Sequence, residues 1–97
     1  MWNQIKKLFT GNRQDLQEVL RNGAVIIDVR TPMEYKSGHI TGSKNIPVND
    51  IRGKVEMIRK WNKPVITVCR SGSRSMMAAT VLNAAGIKTY NGGPWNR

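Results

Sequence analysis

Cysteine occurs once in these 97 residues, at Cys69, and histidine once, at His39. A lone cysteine excludes a disulfide within the chain, and one Cys with one His is too small a ligand set for a zinc site. The thiol is then either a small buried hydrophobe or a reactive group. Acidic residues are scarce as well: six Asp and Glu stand against sixteen Lys and Arg, a net charge of +10 at pH 7. Such a balance invites nucleic acid as a partner. The basic residues are spread along the chain, however, with no Lys/Arg block and no array of aromatics for stacking bases. We therefore do not expect nucleic acid, and the charge suits small anions instead. No apolar run approaches the roughly 18 residues of a membrane span. The first residues lack the apolar core and small-residue cleavage site of a secretory signal, so a cytoplasmic location is the expectation.

What is present suits one globular domain with a single core, since 39% of residues are hydrophobic and 23% charged. Met1–Phe9 sets Trp2, Ile5, Leu8 and Phe9 at helical spacing among Lys6 and Lys7. We expect residues 1–12 to form an N-terminal amphipathic segment, packed on the domain or frayed from it. Contact with acidic lipid or a partner is the alternative. The domain proper is expected over residues 13–97.

Within it, a short helix is expected over Asp15–Asn22, with Leu16, Val19 and Leu20 on one face and Gly23 as its stop. Ala24–Val29 is a continuous apolar strand, which implies burial on both faces and so a parallel sheet covered by helices. Thr31 caps a helix Pro32–Ser37 that ends at Gly38. His39–Ser43 reads as a loop and Lys44–Ile46 as a brief strand stopped by Pro47. Asn49 or Asp50 is expected to cap a helix from Ile51 to about Trp61, with Val55, Ile58 and Met57 inward and Gly53 weakening its start. Val65–Cys69 is the next strand. Ser73–Ala85 is helical, with Met77, Val81 and Ala84, joined by Met76 and Thr80, as the expected core stripe. Gly86 stops it, Ile87–Tyr90 is a last strand, and Asn91–Pro94 reads as a turn before Trp95. Strands alternating with helices predict an α/β fold, a central mostly parallel sheet with helices on both faces.

Ligands of such sheets bind outside the carboxyl ends of the strands. Cys69 ends one strand, and Asp28 with Arg30 ends another. A thiol there faces the N-terminus of the next helix, where backbone N–H groups and the helix dipole favour thiolate, the nucleophilic form. Four residues separate Cys69 from Arg74: Arg70, Ser71, Gly72 and Ser73. Successive N–H groups of such a turn can converge into an anion nest. Gly72 would supply a positive φ or a close approach to the ligand. Arg70 and Arg74 add charge suited to sulfonate, sulfate or phosphate oxygens, and Ser71, Ser73 and Ser75 can donate hydroxyls or cap the helix.

Five blocks in order carry a wider likeness: Asp28-Val29-Arg30; Glu34-Tyr35; Gly38-His39-Ile40-x-Gly42-Ser43-x-Asn45-Ile46-Pro47; Cys69-Arg70-Ser71-Gly72-Ser73-Arg74-Ser75; and Asn91-Gly92-Gly93-x-Trp95. Over about residues 14–95 the chain resembles the single-domain members of the rhodanese (thiosulfate sulfurtransferase) family. The resemblance implies a cycle without cofactor. The Cys69 thiolate takes the outer sulfur of thiosulfate or a related persulfide donor, and a thiophilic acceptor (cyanide, a thiol or a protein) removes it. It implies Cys69 as the catalytic residue, with Arg70, Ser71, Gly72, Ser73, Arg74 and Ser75 binding the substrate. Asp28 and Arg30 become framework groups beneath the site. His39, which invites a general-base role, falls instead in a structural loop motif. Glu34 and Tyr35 anchor the short helix, while Gly92, Gly93 and Trp95 form a turn and lid.

Two rivals remain. Phosphatases and arsenate reductases of the same fold hold an anion between Cys and Arg, but in a loop one residue longer, Cys-x5-Arg. A sulfur-relay or regulatory module docked on another protein would use the same loop and differ only in its acceptor.

Overall fold

The computed structural model describes residues 13–96, so the expected amphipathic segment Met1–Phe9 lies outside the described residues. Among the described residues there are four helices, a 3-10 helix and four strands. In chain order they are α1 (Arg13–Arg21), β1 (Val25–Asp28), α2 (Pro32–Ser37), β2 (Lys44–Asn45), the 3-10 helix Val48–Lys54, α3 (Val55–Lys60), β3 (Val65–Cys69), α4 (Ser73–Ala84) and β4 (Thr89–Pro94). The strands form one sheet in the order β2-β1-β3-β4, every pair parallel. Parallel neighbours need crossovers, and the helices supply them.

Burial on both faces explains the continuous apolar strands: all five residues of β3 are buried. One face of the sheet carries Ile27, Val65 and Cys69, packed with Ile51, Ile58, Ala78, Leu82 and Ile87 into a single core. The opposite face turns Ile26, Ile66 and Val68 toward a cleft that Leu16 and Leu20 of α1 also line. The α/β sandwich with a parallel sheet is therefore as expected.

Local signals placed α2 well. Thr31 accepts from the Glu34 N–H, and Glu34 accepts from the Thr31 N–H, a complete capping box with Pro32 at the helix start. Elsewhere the elements shift. α1 starts two residues before Asp15, β1 is trimmed to Val25–Asp28, and β2 stops at Asn45 with Ile46 buried beyond it. The helix expected from Ile51 begins earlier and tighter, because the Val48 N–H is tied to the Val29 carbonyl at 3.0 Å and Asp50 N to Pro47 O at 2.8 Å. Pro47, not Asn49 or Asp50, precedes it, and no side chain caps it. Its inward stripe is Ile51, Val55 and Ile58, which leaves Met57 exposed.

Two corrections bear on the site. The core stripe of α4 is Ser75, Ala78, Ala79 and Leu82, whereas Met76 and Met77 are 59% and 61% exposed and Thr80 and Ala84 face solvent. Small residues let this helix sit close to the sheet, where the Thr67 hydroxyl donates to the Ser75 carbonyl at 2.8 Å. Residues 91–94 are strand rather than turn. Thr67 pairs with Asn91 and Val68 with Gly93, so the register passes over Gly92 as the extra residue of a bulge. Because β4 is an edge strand, Pro94 leaves no ladder bond unmade.

Candidate active site

Cys69 is the last residue of β3 and has no exposed surface. The chain turns at once into α4, whose first residues curl around the sulfur. Gly72 makes the turn at φ +106°, a left-handed conformation that suits glycine, and a β-carbon there would meet only the Gly93 Cα at 3.7 Å. The requirement is one of backbone conformation and not of space. The result is a cradle: the Gly72 N–H reaches Cys69 Sγ at 2.9 Å, the Ser75 N–H at 3.4 Å, and the Ser75 hydroxyl oxygen lies at 3.4 Å. The Trp95 N–H holds the Cys69 carbonyl from the far side at 2.8 Å.

Burial pushes the Cys69 thiol up. The Ser75 hydroxyl and the N–H groups of Ser75, Gly72 and Ser71 more than offset it, so its pKa lies below that of a free thiol. The N-terminus of twelve-residue α4 adds its dipole in the same sense.

Around the cradle stand two ion pairs. Arg74 meets Glu34 through Nη1–Oε1 at 2.8 Å and Nη2–Oε2 at 3.1 Å, joining the Cys69–Ser75 loop to α2. Hydrogen bonds from Arg74, and then from the Thr31 N–H, hold the Glu34 carboxyl at about 2. Deeper, Asp28 takes Arg30 Nε at 2.9 Å and Nη2 at 2.7 Å, both residues being buried. Arg30 also donates to the Gly38 carbonyl at 2.7 Å and lies 4.4 Å from the centre of the Trp95 ring. A buried charge with a partner, further hydrogen bonds and a ring face is fully accounted for, which makes this pair a brace for the loops.

Of the loop residues named from sequence, Arg70, Ser71 and Ser73 are exposed, while Gly72, Arg74 and Ser75 close on the sulfur or on Glu34. His39 is stacked on Tyr35 with ring centroids 3.7 Å apart, and its Nδ1 lies 2.7 Å from the Tyr35 carbonyl. A carbonyl only accepts, so Nδ1 carries a proton and the ring serves the α2 end. Sequence reasoning missed Thr67 and did not single out Asn91, whose Oδ1 is 2.6 Å from Ser75 Oγ. No local pattern marks Thr67, and Asn91 stood only as part of the block Asn91-Gly92-Gly93-x-Trp95; their roles depend on how β3, β4 and α4 stack.

A family model described as Rhodanese-like domain matches residues 12–94. The chain belongs to the rhodanese family. Among its relatives, thiosulfate sulfurtransferase GlpE of Ectopseudomonas mendocina is 33% identical over 74 residues, 76% of this chain and 67% of that protein. The uncharacterized protein YqhL of Bacillus subtilis is 41% identical over 69 residues, 70% of this chain. The match covers 54% of YqhL, about half of that relative's length. The rhodanese-like domain protein from Staphylococcus aureus has the same fold, with a TM-score of 0.71 at 31% identity over 84% of this chain and 81% of that one. The Cys69–Ser75 loop lies at the carboxyl edge of the sheet. Among the described residues no group of three or more His, Cys, Asp or Glu could hold a metal ion, and no helix is long and apolar enough to cross a membrane.

Proposed function

We propose that the chain is a cytoplasmic sulfurtransferase that carries sulfane sulfur on Cys69. The observation that carries the reading is the cradle: a sulfur at the end of a buried strand, met by the N–H groups of Gly72 at 2.9 Å and Ser75 at 3.4 Å. The Cys69 thiolate attacks the outer sulfur of thiosulfate or a related persulfide donor. A new S–S bond forms as the donor's own breaks, and sulfite, or the donor thiolate, leaves with the electron pair. The terminal sulfur of the resulting persulfide, about 2 Å beyond Sγ, bears the negative charge that converging N–H dipoles stabilise without rearrangement. A thiophilic acceptor, whether cyanide, a small thiol or a protein thiol, then attacks that sulfur and returns Cys69 as thiolate. Exposed Arg70 stands at the mouth to draw in the anionic donor.

A phosphatase reading fits less well. Arg74, which would have to grip the phosphate, already has both guanidinium Nη atoms on Glu34. The Cys-x4-Arg spacing also makes a tighter loop than Cys-x5-Arg. Mixing the protein with thiosulfate and weighing it intact tests the proposal. A gain of one sulfur is expected, absent in Cys69→Ser; no gain in the unaltered chain, or a gain that survives the substitution, would sink it.

A further inference from the structure

Ser75 has one hydroxyl proton, and three groups surround it. Its Oγ lies 2.6 Å from Asn91 Oδ1, 3.0 Å from the Gly72 carbonyl oxygen and 3.4 Å from Cys69 Sγ. The orientation of the Asn91 amide is set independently of Ser75. The backbone N–H of buried Gly93 donates to Asn91 Oδ1 at 3.0 Å, so the atom on that side is the amide oxygen. An amide oxygen has no proton to give, and Ser75 is therefore the donor in the shortest of its contacts. With its proton committed to Asn91, Ser75 Oγ presents only lone pairs to the sulfur. That arrangement accepts the S–H of a thiol and disfavours a thiolate until the hydroxyl turns.

We propose that Asn91 is a positioning residue that competes with Cys69 for the single Ser75 proton and so sets how readily the thiol ionises. The proposal rests on Cys69 being the nucleophile of the reaction above. The bulge of β4 makes the competition possible: skipping Gly92 in the pairing with β3 brings Asn91 Oδ1 against Ser75 and the Gly93 N–H together. In the thiol state the bonds run in one direction, from S–H to Ser75 Oγ and from Ser75 O–H to Asn91. On ionisation the hydroxyl rotates to the sulfur, and Asn91 keeps the Gly93 N–H. The amide oxygen is not orphaned, and no backbone has to move. Both states are satisfied, and they differ by one O–H···O bond exchanged for one O–H···S⁻ bond.

The charged and titratable groups near this sulfur are Arg70 and Arg74 of the loop, Glu34 of α2 bound to Arg74, and the Asp28–Arg30 pair at the end of β1; Tyr90 of β4 pairs with Ile66 and so lies on the opposite face of the sheet from Cys69. None is altered by a change at Asn91, so a shift in the thiol's titration reports the hydroxyl. Because Cys69 is the only cysteine, the pH dependence of iodoacetamide alkylation of the full chain reads this thiol alone. Asn91→Ala releases the Ser75 proton and lowers the apparent thiol pKa by about half a unit to one unit, the size of one neutral hydrogen bond. Asn91→Asp, a stronger acceptor with its own charge, raises it. In a Ser75→Ala background the Asn91→Ala shift vanishes, and the rise from Asn91→Asp shrinks. An unchanged or raised pKa in Asn91→Ala overturns the proposal, as does a shift that persists without the Ser75 hydroxyl. Should Asn91→Ala not fold, an Asn91→Asp rise of equal size in both backgrounds overturns it alone. Sulfur uptake from thiosulfate is read separately on the same proteins; its absence from the unaltered chain refutes the sulfurtransferase reading and leaves the alkylation titration standing.

Discussion

Arg74 and Glu34, forty residues apart in the chain, meet through two parallel hydrogen bonds of 2.8 and 3.1 Å. Glu34 is itself locked into the capping box of α2, so the Cys69–Ser75 loop is fastened to a helix that buries no side chain of its own. The Glu34 carboxyl is held at about 2 against an ordinary 4.5. A carboxyl with a lowered folded pKa stabilises the fold fully above its unfolded pKa, and that contribution is lost as pH falls toward the folded one. Acid titration of the melting temperature should show this. Between about pH 4.5 and 2 the unaltered chain loses more stability than Glu34→Gln, and parallel curves would contradict the linkage.

The two loop arginines should separate in their effects. Arg70 is exposed and Arg74 is tied to Glu34. Arg70→Ala is expected to raise KM for thiosulfate about tenfold, the loss of one charge-assisted contact, with no change in Tm. Arg74→Ala frees the loop from Glu34, so it should raise KM indirectly and also cost about 1 kcal/mol or less of stability, since its partner is only partly buried. Steady-state kinetics beside thermal melts decide this. Unchanged KM in Arg70→Ala would remove it from donor binding.

How far the sequence was readable follows from the range of the interactions. Thr31, Pro32 and Glu34 specify α2 within one turn, so a local reading found it. Val65–Cys69 reads as a buried strand because both faces are apolar, and the cysteine's place at its end follows directly. α4 misled because hydropathy ranks Met76 and Met77 above Ser75, Ala78 and Ala79, although close packing on β3 selects the small residues. Asn91-Gly92-Gly93-Pro94 has the composition of a turn. It is strand because β3 offers a partner on one side, and the bulge absorbs Gly92. Asn91's meeting with Ser75 spans sixteen residues of chain and two elements, which no local pattern encodes.

The corrected face of α4 carries its own test. Leu82 has no exposed surface, whereas Met77 is 61% exposed. Leu82→Ala should destabilise the domain by about 2–5 kcal/mol, removing buried methyls and leaving a cavity. Met77→Ala should stay within about 0.5 kcal/mol of the unaltered chain. Urea unfolding with unchanged slope measures both. A large loss at Met77 would restore the stripe expected from hydropathy.

Gly92 and Gly53 make opposite predictions for the same substitution. A β-carbon on Gly92 would lie 2.8 Å from Ile66 Cγ2, 2.9 Å from the Thr67 carbonyl oxygen and 2.9 Å from Val68 Cγ1. The Ile66 methyl could turn aside, but the Thr67 oxygen belongs to the backbone of β3 and can yield only if the two strands part. Gly92→Ala should therefore cost about 1–3 kcal/mol, as overpacking does. It should also alter Cys69 alkylation, since Asn91 and Gly93 flank the bulge. Gly53 has open space around it and no positive φ. Gly53→Ala should stabilise by about 0.4–1 kcal/mol through the unfolded chain. Thermal melts of the two variants are expected to move in opposite directions from the unaltered protein, and a Gly92→Ala chain as stable as the original would mean that β4 can be paired with β3 without the bulge.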